Sequence, residues 1–195
     1  MDSNNRPYIV CHMLTSIDGK VTGPFMGTPA VEIADRHYED TNKSFSPQAW
    51  LCGRVTSDEN FTFYKKPEID EEVPAVPEGD FIAVSDAPMY YVSVDASGRL
   101  GWTDNTLHYA NRPSAHIIEV LTCKASNVYR AFLRKRGISY IVAGNERLDC
   151  TLAVEKLKKF FGIERLMVSG GGYVQRVVSL RGLIDELSIV NSTRH

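Results

Sequence analysis

Apolar residues along the chain follow two rhythms. In the first, short unbroken runs rich in β-branched and aromatic side chains read as strands covered on both faces. These are residues 7–14 (PYIVCHML), 49–52 (AWLC), 81–84, 90–94 (YYVSV), 115–121 (AHIIEVL), 138–143 (ISYIVA), 166–168 (LMV) and 184–190 (IDELSIV). In the second, apolar positions recur every three or four residues, the spacing of one helix face. This predicts helices over residues 31–45 (Val31, Ala34, Tyr38 and Phe45 inward), 126–136 (Val128, Tyr129, Phe132, Leu133), 149–161 (Ala153, Leu157, Phe160, Phe161) and 173–180 (Tyr173, Val174, Val177, Val178, Leu180), with another helix starting near 57–61. Ser126 and either Asp149 or Thr151 are positioned as N-caps, and Gly137 and Gly162 as stops. Strands joined by helices of this length are parallel, with right-handed crossovers. The pattern therefore predicts one three-layer α/β domain over residues 1–195, with a mostly parallel central sheet and helices on both faces. Residues 65–80 (KKPEIDEEVPAVPEGD) interrupt it and read as a solvated, mobile insertion.

Composition narrows the function. A length of 195 residues suits one domain with a real core. The net charge of -2 supplies no basic surface for nucleic acid or anionic lipid. No apolar run approaches the ~20 residues of a membrane span, and MDSNNRPY lacks a signal-peptide core, so a cytoplasmic protein is expected. Cys11, Cys52, Cys123 and Cys150 lie far apart, in or beside apolar runs, and read as reduced thiols without metal spacing. The five histidines form no cluster, so no metal is expected.

The candidate chemistry lies at strand ends. After the run 166–168 come Ser169, Gly170, Gly171 and Gly172, then the helix beginning at Tyr173. Strand, glycines, helix is a phosphate-binding layout, because backbone without Cβ lets an anion approach the free amides of a helix start. A tight turn explains one glycine easily and three less easily. Gly53-Arg54-Val55-Thr56 forms a second such junction after residues 49–52. There Arg54 and Thr56 offer a guanidinium and a hydroxyl to a phosphate, although a surface Arg and a helix-capping Thr would give the same letters. Thr15-Ser16-Ile17-Asp18-Gly19-Lys20 ends the first strand and reads equally as an Asp-Gly turn. The usual dinucleotide fingerprint is excluded. The glycines are consecutive and near the C-terminus, and Asp185 and Glu186 follow them too closely and at a strand's start.

The segments RPYIVCHMLTSIDGKV, AWLCGRVT, VDASGRLGW, ISYIVAG, RLMVSGGG and GLIDELSIV stand in the order found in the reductase domain of riboflavin biosynthesis. The chain resembles that RibD C-terminal-like family, which has the dihydrofolate reductase fold. The resemblance implies an NADPH-dependent pyrimidine reductase. Its reaction would turn the ribosyl group of a diaminopyrimidinone or aminouracil ribosyl phosphate into a ribityl chain. It implies cofactor contacts at Gly53, Thr56, Ala143, Gly144, Gly170, Gly171, Gly172 and Tyr173. Ser97, in the turn 95–99, stands where the adenosine 2′-phosphate is read. Thr15, Asp18 and Ser169 stand at the substrate cleft. It also implies a homodimer.

Two positions depart from the family pattern. Ser169 stands where a glutamate is common and Asn60 where an aspartate is, so two acceptor-only groups become groups that also donate. The chain also ends soon after residues 184–190, where the family continues with another strand or hairpin, so the sheet edge is either shortened or finished differently. No residue presents itself as a general acid; Asp18 is the nearest candidate, and a turn role accounts for it. Two rival readings remain at this level: a reductase of another small carbonyl or imine, and a non-catalytic nucleotide-binding relative.

Overall fold

Among the described residues, eight strands form one sheet: β1 (Tyr8–Ser16), β2 (Ala49–Gly53), β3 (Tyr90–Val94), β4 (Thr106–Leu107), β5 (Ala115–Leu121), β6 (Ser139–Val142), β7 (Arg165–Gly170) and β8 (Glu186–Ser192). The helices are α1 (Pro29–Ser44), α2 (Arg54–Ser57), α3 (Asn127–Lys135) and α4 (Cys150–Phe161). This computed structural model describes residues 5–170 and 182–192. The helix expected over residues 173–180 lies outside them.

The strand order is β4-β5-β3-β2-β7-β1-β8, with β6 beside the latter half of β5. Every pairing among these strands is parallel except that of β4. Parallel strands require crossovers, and the crossovers cover both faces. Alternation along each strand then splits the core in two. Ala49, Leu51, Tyr90, Val92, Ile118 and Val120 pack with Ala153, Val154, Leu157 and Phe161 of α4. Trp50, Cys52, Tyr91, Ile117 and Leu121 pack with Tyr129, Phe132 and Leu133 of α3 on the opposite face. Each such aliphatic side chain, fully buried, contributes ~1.5–3 kcal/mol. α1 lies across β1 and β8, where the His12 ring stacks on Tyr38 at 4.1 Å between centroids.

The local signals act where expected. Ser126 accepts from the Tyr129 amide and Asp149 from the Leu152 amide, which caps α3 and α4. Gly162 closes α4 at φ 62°, a conformation open to glycine at no cost. No disulfide joins the four cysteines, and of the four only Cys123 is exposed.

Three expectations need correction, and a fourth needs an addition. Ser169 and Gly170 belong to β7 itself, because β7 pairs β2 as far as Cys52↔Gly170 across a register shift. α2 begins at Arg54, directly after Gly53, and continues as a π-helical turn over Asp58–Thr62, so the helix does not wait for residue 57. Residues 81–84 make only an isolated bridge, Phe81↔Tyr140. Residues 65–80 are fastened along α3. Asn127 accepts from the Val76 amide at 2.8 Å and donates to the Pro74 carbonyl. Arg136 pairs with Glu68 at 2.7 Å, and Asp80 with Lys156 at 2.9 Å. The segment is the largely exposed loop that its Pro- and Glu-rich composition predicts; its anchors left no local signal, because each partner lies 50 or more residues away in sequence.

Candidate active site

The C-terminal ends of β3, β2, β7 and β1 open into one cleft of ≈ 1060 Å³. Parallel strands all end on the same side, and the loops leaving them must part there, so α/β sheets place ligands at such ends. Met13 and Leu14 come from β1, and Val21, Thr22 and Met26 from the loop after it. β2 and α2 supply Cys52, Gly53, Arg54 and Thr56, the turn after β3 supplies Ser97 and Arg99, and β7 supplies Ser169 and Gly170.

Two observations distinguish the centre of the cleft. A Cβ on Gly170 would lie 3.1 Å from Thr56 Cγ2 and 3.3 Å from Cys52 Sγ, so β7 and α2 approach closely enough that these side chains would have to give by a few tenths of an ångström to admit one. The Ser169 hydroxyl beside it is buried without a hydrogen bond, an arrangement that costs free energy unless something completes it. Ser169 nevertheless lies near enough to Tyr38 to oppose, in part, the burial that pushes that phenol up to about 12.

The two ends of the cleft differ in character. Arg54 lies near the turn after β3, which itself carries Arg99, and Arg147 also lines the cleft. Arg54 pairs with Asp58 at 2.9 Å. Asp95 is buried and accepts from the Arg99 and Leu100 amides, so its carboxylate closes the turn from within. Desolvation raises its pKa, opposed by those amide bonds. At the other end, Arg112 is held by Glu39 through two bonds, Nε to Oε2 at 3.0 Å and Nη2 to Oε1 at 2.7 Å. Its guanidinium lies 5.0 Å from the Trp50 ring and 5.4 Å from the Tyr109 ring. Phe61 packs edge-on against Tyr109 at 5.6 Å. Burial would pull the Arg112 guanidinium down, and pairing with Glu39 more than reverses it.

The structure thus brings Gly53, Thr56, Ser97, Ser169 and Gly170 together on one cleft. Gly171, Gly172 and Tyr173 lie outside the described residues. Ala143 and Gly144 sit behind the wall. Ala143 is fully buried, and Gly144 turns at φ 101°, where a Cβ would fall 2.1 Å from the Arg147 carbonyl. They shape the loop whose Glu146, Arg147 and Leu148 face the cleft. Thr15 points to the neighbouring strand and donates to Asn191 at 2.6 Å. Asp18 stays within its own turn, bonded to Ser16 and paired with Lys20 at 2.7 Å. Lys20, then Ser16, hold its carboxyl down at about 2, so at neutral pH it has no proton to give. Asn60 lines the cleft but donates its amide back to the Thr56 carbonyl at 2.8 Å. The acid–aromatic end escaped the sequence reading, since Asp35, Glu39, Trp50, Phe61, Tyr109 and Arg112 share no motif or spacing.

Comparison with known proteins matches residues 7–192 to the RibD C-terminal domain. A curated protein of Methanothermobacter thermautotrophicus, 2,5-diamino-6-ribosylamino-4(3H)-pyrimidinone 5′-phosphate reductase, is 29% identical over 185 residues, covering 94% of this chain and 76% of that one. Among solved structures, RibD of Acinetobacter baumannii superposes with a TM-score of 0.63 at 17% identity, over 98% of this chain. This chain spans about half of that protein, 47%. A pyrimidine reductase-like protein of Corynebacterium diphtheriae superposes with a TM-score of 0.62 at 16% identity, covering 99% of this chain and 77% of that one.

Proposed function

Because this chain belongs to the RibD C-terminal domain family, we propose that it is an NADPH-dependent reductase of a pyrimidine ribosyl phosphate, acting in riboflavin biosynthesis. The observation that carries this reading is the junction of β7 and α2, where a Cβ on Gly170 would crowd Thr56 and the Ser169 hydroxyl, near Tyr38, is buried without a hydrogen bond of ordinary geometry. In this reading the cofactor's diphosphate lies along Gly53, Thr56 and Gly170, continued by Gly171, Gly172 and Tyr173, with Ala143 and Gly144 holding the loop beside it. Ser97 and Arg99, with Arg54 near, take the 2′-phosphate. A hydroxyl and guanidinium groups suit a phosphate, and one oxygen of the acid of that turn is already taken by two backbone amides.

NADPH supplies a hydride to the electrophilic carbon of the substrate. The chain's own contribution is to bind, orient and exclude water, which accounts for much of such a reaction's acceleration. Trp50, Phe61 and Tyr109 offer faces to a planar ring, Ser169 stands at the meeting point of the two ligands, and Thr15 and Asp18 support the rim. With Asp18 ionised, the proton that follows the hydride comes from water or from the Ser169 side of the cleft. The test is oxidation of NADPH in the presence of the diaminopyrimidinone ribosyl phosphate. Turnover with NADPH well above that with NADH is expected. Binding of NADPH with no turnover would replace this reading by a non-catalytic one, and equal use of both cofactors would remove the 2′-phosphate assignment.

We further propose a cytoplasmic homodimer that takes a small-molecule substrate, with no nucleic acid and no membrane partner. Among the described residues, no helix is long and apolar enough to cross a membrane. β8 lies at the sheet edge with Leu187 62% and Ile189 51% exposed, and an open apolar edge strand invites pairing. Light scattering at micromolar concentration is expected to give twice the chain mass; a monomer there would rule the dimer out.

A further inference from the structure

The Arg112 side chain is only 7% exposed, although it comes from the exposed loop between β4 and β5. That loop is held in one shape. His108 and Ser114 meet across its base at 3.0 Å, and the Arg112 amide donates to the Tyr109 carbonyl at 3.1 Å. Ala110 between them turns at φ 46°. A residue with a Cβ takes up this left-handed conformation only where its surroundings impose it. Arg112 is then pinned to Glu39 of α1 by two bonds and lies over the rings of Trp50 and Tyr109. Joining two strands requires none of this. The result is a single guanidinium fixed in the lining of the cleft at its α1 end.

A guanidinium carries five N–H donors. Glu39 takes one from Nε and one from Nη2. Nη1 makes no hydrogen bond among the described residues, so it keeps two donors on a side chain that water scarcely reaches. Buried donors of this kind cost free energy until an acceptor completes them. Charge decides which acceptor fits. Glu39 cancels the charge of Arg112, Asp35 stands close enough to both to add another carboxylate, and among the described residues no lysine lines the cleft. A phosphate dianion at this end would meet two carboxylates for one guanidinium. A carbonyl oxygen brings no charge to repel and still gains a charge-assisted bond.

We infer that Arg112, with its charge balanced by Glu39, is the donor that fixes a ring carbonyl of the substrate. The substrate then enters this end of the cleft ring first, with its phosphate directed away from α1 and its ribosyl carbon between the two. The inference takes its substrate from the reductase reading above.

The test is a calorimetric titration of the NADP+ complex with the pyrimidine ribosyl phosphate, which reads the contact whether or not the compound turns over. Arg112→Lys keeps the charge and loses the planar fork. It should raise Kd by about ten- to hundredfold, the worth of a hydrogen bond from a charged donor, and leave NADP+ affinity unchanged. In Glu39→Gln the guanidinium loses its counter-charge. Inorganic phosphate should then compete with the substrate at least about tenfold more effectively than it does in wild type. If Arg112→Lys does not fold, the double variant Glu39→Gln with Arg112→Met, which buries no unpaired charge, carries the same expectation for Kd. Wild-type affinity in the folded variant overturns the inference. So does a parallel loss of NADP+ affinity, which would mean a general disturbance of the cleft. Competition by phosphate as strong in wild type as in Glu39→Gln overturns it too, since phosphate would then be the group that sits here. In each case turnover with NADPH leaves the reductase reading in place. Binding that depends on Arg112 without turnover would remove the reductase reading and keep the contact; no binding to wild type removes both.

Discussion

Gly170→Val is expected to abolish measurable NADPH binding while leaving a folded, less stable protein. The bare Cβ position already lies 3.1 Å from Thr56 Cγ2, 3.3 Å from Cys52 Sγ and 3.4 Å from Thr56 Oγ1. Valine adds two methyl groups beyond that point. Cys52 cannot yield, since it is buried in β2 and paired to Gly170 across the register shift. Thr56 must therefore swing away or β7 must part from β2. Overpacking of this kind costs about 1–3 kcal/mol, and either movement dismantles the surface proposed for the diphosphate. A titration followed by nicotinamide fluorescence, beside a thermal melt, separates the two effects. Gly170→Ala should fall between, because its neighbours need give only a few tenths of an ångström. A folded Gly170→Val protein with wild-type NADPH affinity would show that Thr56 and the end of β7 are not the cofactor's seat.

The second large effect is on stability as a function of pH, and its source is Glu119. This residue lies wholly buried in β5, facing the α3 side of the sheet. Trp102 donates its indole N–H to one carboxylate oxygen, and the other oxygen has no partner. Its neighbour across the sheet is Ser93, and Cys52 follows on β2, so a polar row crosses the core beneath the cleft. Ser57 sits over this row, 2.7 Å from the Tyr91 hydroxyl and 2.9 Å from Ser93. Desolvation first, then the charge of Asp95, push the Glu119 carboxyl well above its ordinary range, with Trp102 and Ser93 opposing.

The folded protein therefore holds a proton that the unfolded chain releases near pH 4.5. Above that pH the native state binds more protons than the unfolded state, so stability falls as pH rises, until the folded group also ionises. Asp95, raised for the same first reason, adds with the same sign. Denaturant unfolding from pH 5 to 8 should show this decline. Glu119→Gln keeps the oxygen that Trp102 needs and removes the ionisation, so its curve should be flatter. At pH 8 it should exceed wild type by about 1–3 kcal/mol, the usual range for replacing an uncompensated buried charge. A variant that follows the wild-type curve at every pH would mean that Glu119 keeps the same protonation state folded and unfolded.

Much of this molecule is written locally in its sequence. The run 115–121 became β5 with the same bounds, and 90–94 became β3, since unbroken β-branched and aromatic residues suit a strand covered on both faces. Ser126, Asp149 and Gly162 set the ends of α3 and α4, because a cap involves only neighbouring residues. The segments at residues 53–56, 97 and 169–170 were legible as strand ends, and in the fold all of them line one cleft. Tertiary structure alone decided the rest. The order that sets β7 between β2 and β1 determines that Gly170 meets Thr56 and that Thr15 turns to β8. The same order places Arg112 against Glu39, 73 residues earlier. Hydrophobic periodicity records which side of an element is buried, and it carries no record of which other element covers it. Pairings across crossovers are fixed only when the whole sheet assembles, and in this protein the Glu39–Arg112 side of the cleft is made of them.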